Sequence, residues 1–275
     1  VRVRHLARLC SVLLSLAGFA TPASAHDTWV RPLAVRVLPG QPLTAEMSAG
    51  HGLTPLSAPK RRRERALLLL GAGGRRKPRA RRRRGKRALA DFAPPPSRMV
   101  CAVCCIALRT RSVTIEIDDE GVDGYLAEVQ PPANILQAWQ AQRALGQPWV
   151  EHYAKEAKGY LRAGTSRGRG GRPWQGVQRL GHQLEIVPLT DPTRAMPRHL
   201  LTVELREGGL VLPDIALRLF DRRGERVVRT DAQGRAALPV RCRGRQLVAT
   251  TVLQLPAHAG APWTSRFATL SYTVA

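Results

Sequence analysis

The chain has 275 residues, with 44 Lys and Arg against 20 Asp and Glu, for a formal net charge of +24. That length allows one large or two small domains with real hydrophobic cores. The charge is local: Lys60–Arg87 holds 15 basic residues and one acid, Glu64, residues 1–25 add three arginines and no acid, and the remainder carries +7. The basic block has no interleaved aromatics on which bases could stack, so nucleic acid is not an expected partner.

Residues 1–25 have the order of a secretory signal peptide. Arg2, Arg4 and Arg8 form a positive start, Leu9 to Ala20 is an uncharged and mostly apolar run, and Ala23-Ser24-Ala25 is a small-x-small cleavage pattern. The run is too short to span a bilayer, which takes about 20 residues. Cleavage after Ala25 is expected, with His26 as the new N-terminus and the mature chain periplasmic or secreted. No later stretch is long and apolar enough to cross a membrane, so a protein that does not span one is expected.

Residues 26–56 read as the start of an N-terminal β module. One strand covers Trp29 to Leu38, a turn falls at Gly40-Gln41-Pro42, and a second strand from Leu43 stops at Ala49-Gly50-His51-Gly52. Residues 57–98 show neither alternation nor a helical stripe apart from Leu67 to Leu70, and Arg, Gly and Pro94-Pro95-Pro96 dominate them. They are expected to be a basic, disordered segment. The same composition would arise from GC-rich coding sequence read out of frame. Residues 99–197 read as the rest of the N-terminal module. Ser112 to Ile117 alternates as a strand, and 118–163 is a helical insertion in which Glu151 and Lys155 are spaced as a helical ion pair. Asp118, Asp119 and Glu120 suit a helix start. Thr165 to Arg172 is expected to be a flexible loop, and Leu184 to Leu189 a strand. Residues 198–275 are short strands with turns at Gly208-Gly209, Asp221 to Gly224 and Asp231 to Gly234, the spacing of an immunoglobulin-like β-sandwich. The expected class is mainly β: immunoglobulin-like antiparallel β-sandwich modules with a helical insertion.

Cys101, Cys104, Cys105 and Cys242 lack the second regular ligand pair of a structural zinc site, and their disulfide pairing is open. No nucleophile elbow, His-Glu-x-x-His or phosphate loop is present, so an enzyme is not expected.

These landmarks together resemble a periplasmic domain family of unknown function grouped with the nickel-uptake (NikM-like) substrate-binding proteins. The resemblance rests on His26-Asp27-Thr28-Trp29-Val30-Arg31-Pro32, Gly50-His51-Gly52, Tyr125-Leu126, Tyr153-Ala154-Lys155, Leu184 to Pro188, Thr230-Asp231-Ala232 with Gly234 and Ala236, and Trp263, Ser265 and Phe267 to Leu270. It departs at 57–98, where the family has ordinary strands. It implies transition-metal handling, with nickel or copper as the ion and a membrane metal transporter as partner.

The residues support a metal site by a separate route. An N-terminal His26 offers its α-amine and imidazole Nδ1 to one ion, and a further imidazole completes a brace-like set that suits copper(II) or nickel(II). His51 in its Gly-rich turn and His152 on the expected helix are the candidates for that imidazole, and Asp27 could orient a ring or bind directly. His182, His199 and His258 are read as surface residues. The alternative is a non-catalytic envelope structural or interaction module without a metal site.

Overall fold

The structure is a computed structural model that describes residues 26–71, 74–94, 102–164 and 179–275. The expected signal peptide, Cys101 and the Thr165–Arg172 loop lie outside them. The N-terminal strands are β1 (Asp27–Pro32), β2 (Arg36–Val37), β3 (Leu43–His51), β4 (Thr54–Ser57), β5 (Glu64–Gly71), β6 (Gly74–Arg76), β7 (Ala80–Arg84), β8 (Arg87–Phe92), β9 (Ala102–Thr110) and β10 (Val113–Ile117). Two helices, α1 (Asp119–Val129) and α2 (Ala133–Ala144), precede the long strand β11 (Trp149–Ala163). Then follow β12 (Leu184–Pro188), β13 (Leu200–Glu207), β14 (Leu210–Val211), β15 (Ala216–Asp221), β16 (Gly224–Arg229), β17 (Arg235–Pro239), β18 (Gly244–Gln254) and β19 (Trp263–Val274).

The protein is mainly β and its strands stack as sandwiches. A central ten-stranded sheet runs β16-β15-β18-β19-β11-β9-β5-β6, with β10 and β2 also pairing β11. A five-stranded sheet, β1-β3-β8-β7 with β4 on β3, covers one part of it, and a four-stranded sheet, β12-β13-β14 with β17 on β13, faces another. Val30, Leu43, Met47 and Phe92 pack against Leu67, Ile106, Leu108 and Leu161 in the first interface. Ile186, Val203 and Leu238 pack against Leu217, Val248 and Leu270 in the second. Successive side chains of a strand point to opposite faces. Cys104 and Cys105 therefore enter the two different cores, where Cys105 is a free, fully buried thiol. Most pairings are antiparallel, but β11 and β19 run parallel from Glu151↔Trp263 to Gly159↔Ser271. This long-range pair welds the N-terminal strands to the closing strand, so the two expected modules share one sheet.

The described part of 57–98, residues 57–71 and 74–94, corrects the expectation of disorder, and Pro95 to Arg98 lie outside the described residues. That part supplies β5, β6, β7 and β8 to the two sheets. Leu67, Leu69, Leu89, Ala90 and Phe92 are buried, while Arg81 to Arg84 form most of the edge strand β7. Charged side chains on an edge strand block pairing with other chains, which is the physical use of this arginine run. Carboxylates offset part of the charge: Arg81 meets Glu64, Arg82 meets Asp91, and Arg87 lies 3.4 Å from Glu46.

The helical insertion is also shorter than expected. Asp118 caps α1 by accepting from Gly121 N at 2.7 Å, as its place before the acidic turn implied. Residues 149–163, however, are strand. Ala, Lys and Glu favour helix locally, but tertiary pairing on both sides outweighs a preference of a few tenths of a kcal/mol per residue. Glu151 and Lys155 are not a helical pair. Glu151 is buried and accepts from Trp149 Nε1 at 2.9 Å and from Ser265. The two helices close the end of the sheet over Tyr125, Trp139, Trp149, Trp263 and Phe267, with the Trp149 and Trp263 rings stacked 4.2 Å apart. His182 corrects a third expectation: it is buried, whereas His199 and His258 are exposed.

Candidate functional site

The residues that follow the expected cleavage site are held by three neighbouring elements. The β1–β3 register pairs Asp27 with Gly50. Continuing it by one residue sets His26 opposite His51, and their ring centroids lie 5.0 Å apart, edge to face. Directly opposed residues on antiparallel strands share a face, so two histidines 25 positions apart become neighbours through register alone. β1 is seated on the central sheet by hydroxyls: Thr269 Oγ1 donates to Thr28 O at 2.7 Å and Ser271 Oγ to Val30 O at 2.5 Å. Gly159 permits the close approach, because a Cβ there would stand 2.3 Å from Val30 O.

Asp27 points the other way and is fully buried. Arg218 of β15 donates from Nη2 to both its carboxylate oxygens at 2.9 Å, and from Nη1 to Glu128 of α1. Glu128 Oε1 in turn lies 3.7 Å from His51 Nδ1. Removal from water pushes the Asp27 carboxyl up to about 6, against the downward pull of Arg218. Arg218 is thus the cation that permits a carboxylate at this depth, and it ties β1, α1 and β15 together.

Lys155 of β11 donates to the carbonyl of His26, and its ammonium lies 4.4 Å from the Phe267 ring centroid and 5.1 Å from that of Tyr153. Loss of solvent lowers its pKa to about 8. Loss of solvent, with the neighbouring His51 and Lys155, also lowers the pKa of His26. Its ring is therefore held neutral, the state in which an imidazole nitrogen can donate to a metal. Gly52 completes the turn after His51 with φ +51°, and a Cβ there would lie 2.7 Å from the Phe220 ring.

The four expected site residues therefore separate. His26 and His51 come together, and Asp27 adjoins them but is engaged by Arg218. His152 is exposed and its Nδ1 is 3.0 Å from Thr114 Oγ1. It lies on the face of β11 opposite to Lys155, since the two are an odd number of residues apart. Among the described residues, no group of three or more His, Cys, Asp and Glu side chains has the arrangement of a metal cluster. The expected free amine of His26 is a ligand of another kind, as it depends on cleavage. Sequence reasoning missed Glu128 and Arg218. Arg218 had a visible signal: it interrupts the apolar run Ile215-Ala216-Leu217-Arg218-Leu219-Phe220, where an arginine needs a buried partner.

Fold and site together define a mainly β protein with a cross-strand histidine pair at one end of a sheet. The chain belongs to a family known by its domain of unknown function (DUF4198), whose model matches residues 23–254. No curated protein matches the sequence. Among solved structures, the Bacillus anthracis TIE protein aligns over 90% of this chain at 11% identity and a TM-score of 0.18. This chain spans 41% of that protein, and a likeness so low carries no argument about fold or function. No helix among the described residues is long and apolar enough to cross a membrane.

Proposed function

We propose that this is a non-catalytic periplasmic protein that binds a transition metal, nickel or copper, and handles it on behalf of a membrane metal transporter, in the manner of the NikM-like group it resembles. The observation that supports this reading is the pair of imidazoles brought within 5.0 Å by the β1–β3 register. His26 would contribute its imidazole and, after cleavage, its α-amine, and His51 would contribute a second imidazole. Nitrogen donors of this kind suit copper(II) and nickel(II). Glu128, beside His51 Nδ1, would orient that ring and leave Nε2 to the ion. His152 has no part in the site.

The second reading, an envelope interaction module without a metal, is favoured by the two cations Lys155 and Arg218 that flank the histidines. Calorimetry with copper(II) and nickel(II) separates the two. The probes are the mature chain starting at His26, the same chain extended by one residue, His51→Ala and His152→Ala. The metal reading expects the extension and His51→Ala each to cost about tenfold or more in affinity, with His152→Ala unchanged. Equal affinity in the parent and the extended form would remove His26 from the site and leave the interaction module.

A further inference from the structure

Beside the histidine pair lies a cavity of about 250 Å³, walled by the segment before β5 and by β1, β7 and β11. Lys60, Arg63, Arg83 and Lys155 line it, together with the hydroxyl-bearing Thr110 and Tyr153. Among the described residues its one carboxylate, Glu64, is held by Arg81. Arg63 Nη1 donates to Tyr153 Oη at 3.0 Å, which fixes that guanidinium on the wall. Lys155 is the unusual member. It is partly buried, its ammonium donates to the His26 carbonyl, and among the described residues no carboxylate comes within 4.0 Å of that ammonium, Asp27 and Glu151 acting on it only from further away. A cation withdrawn from water is normally paired at close range, and among the described residues the carboxylate that lines the cavity, Glu64, is taken by Arg81.

We propose that this cavity binds a small polycarboxylate anion, with Lys155 at its inner wall and Arg63, Arg83 and Lys60 around it. The cations enter from three separate elements, so their charge is spread around the cavity. That suits a ligand whose own charges are spread over several carboxylates. Guanidinium forks match carboxylates by paired, charge-assisted hydrogen bonds. The cavity has room for about eight waters, so one inorganic phosphate would leave most of it wet. This inference goes beyond the metal reading and does not depend on it.

The test is calorimetry on metal-free mature protein at physiological salt, with tricarballylate as the probe and inorganic phosphate as the comparison. Saturable one-to-one binding of tricarballylate is expected, with phosphate much weaker. Lys155→Met should weaken binding about tenfold or more, the size of one lost charge-assisted hydrogen bond. Lys155 also anchors His26, so Lys60→Gln and Arg83→Gln, both at exposed positions, serve if that variant does not fold; each should weaken binding severalfold. Arg222→Gln and Arg223→Gln lie in a different basic groove and should change nothing. No saturable binding overturns the proposal, as does an equal loss from the Arg222 and Arg223 variants, which would mean attraction to net charge alone. Phosphate binding as tightly as tricarballylate overturns the polycarboxylate class.

Discussion

Arg218→Met should destabilise the protein by about 3–5 kcal/mol at pH 8, because it strands a buried carboxylate. The figure follows from the surroundings of Asp27, which is wholly buried and whose two oxygens both accept from Arg218 Nη2 at 2.9 Å. Its carboxyl already sits at about 6 with the guanidinium in place. Without it the carboxyl moves further up, at about 1.4 kcal/mol for each pH unit. The sign of the pH dependence follows. A folded-state pKa above the unfolded value gives a contribution that is present at low pH and lost as pH rises through the folded pKa. The deficit of Arg218→Met should therefore be largest at pH 8 and smaller at pH 5, where Asp27 takes up a proton. Adding Asp27→Asn removes the stranded charge and should recover about 2 kcal/mol, a coupling within the range seen for contacting residues. Urea unfolding followed by tryptophan fluorescence, on the parent, both single variants and the double variant, measures all four corners of this cycle. A deficit below about 1 kcal/mol that is the same at both pH values would refute the assignment of Arg218 as the counter-charge of Asp27.

Two further predictions rest on other parts of the fold. Burial, helped by Lys158 and Arg109, pushes His182 far below its ordinary pKa, so the folded state holds it neutral while the unfolded chain takes up a proton below about 6.5. Relative to His182→Gln, the parent should lose about 2 kcal/mol of stability between pH 7.5 and 5; a flat difference curve in chemical denaturation would place that ring in water. Gly52→Ala puts a Cβ into the Phe220 ring at φ +51° and should cost about 1–3 kcal/mol and weaken copper(II) binding through His51. Gly40→Ala, at φ +78° with open space around it, should cost about 1 kcal/mol and leave binding unchanged, and equal effects in thermal melts would dismiss the contact with Phe220.

Where a signal is local, the amino-acid order was sufficient. Asp118 capped its helix, the C-terminal strands broke at the expected glycine and aspartate turns, and the class came out mainly β. His26 and His51 were both visible as candidates, since an imidazole next to a cleavage pattern and another in a Gly-rich turn are local features. What each of them meets was decided only by the tertiary structure. The helix-prone Glu151 to Arg162 became a strand because β9, β10 and β19 pair along it, contacts the segment cannot report about itself. The arginine block became folded edge because its few leucines found a core supplied from elsewhere. His26 reached His51 through strand register, His152 turned away once its helix proved to be a strand, and Asp27 met Arg218 across 191 positions of sequence. Backbone propensity acts between near neighbours, whereas burial and ion pairing are settled between segments that are distant in sequence and adjacent only in the folded chain.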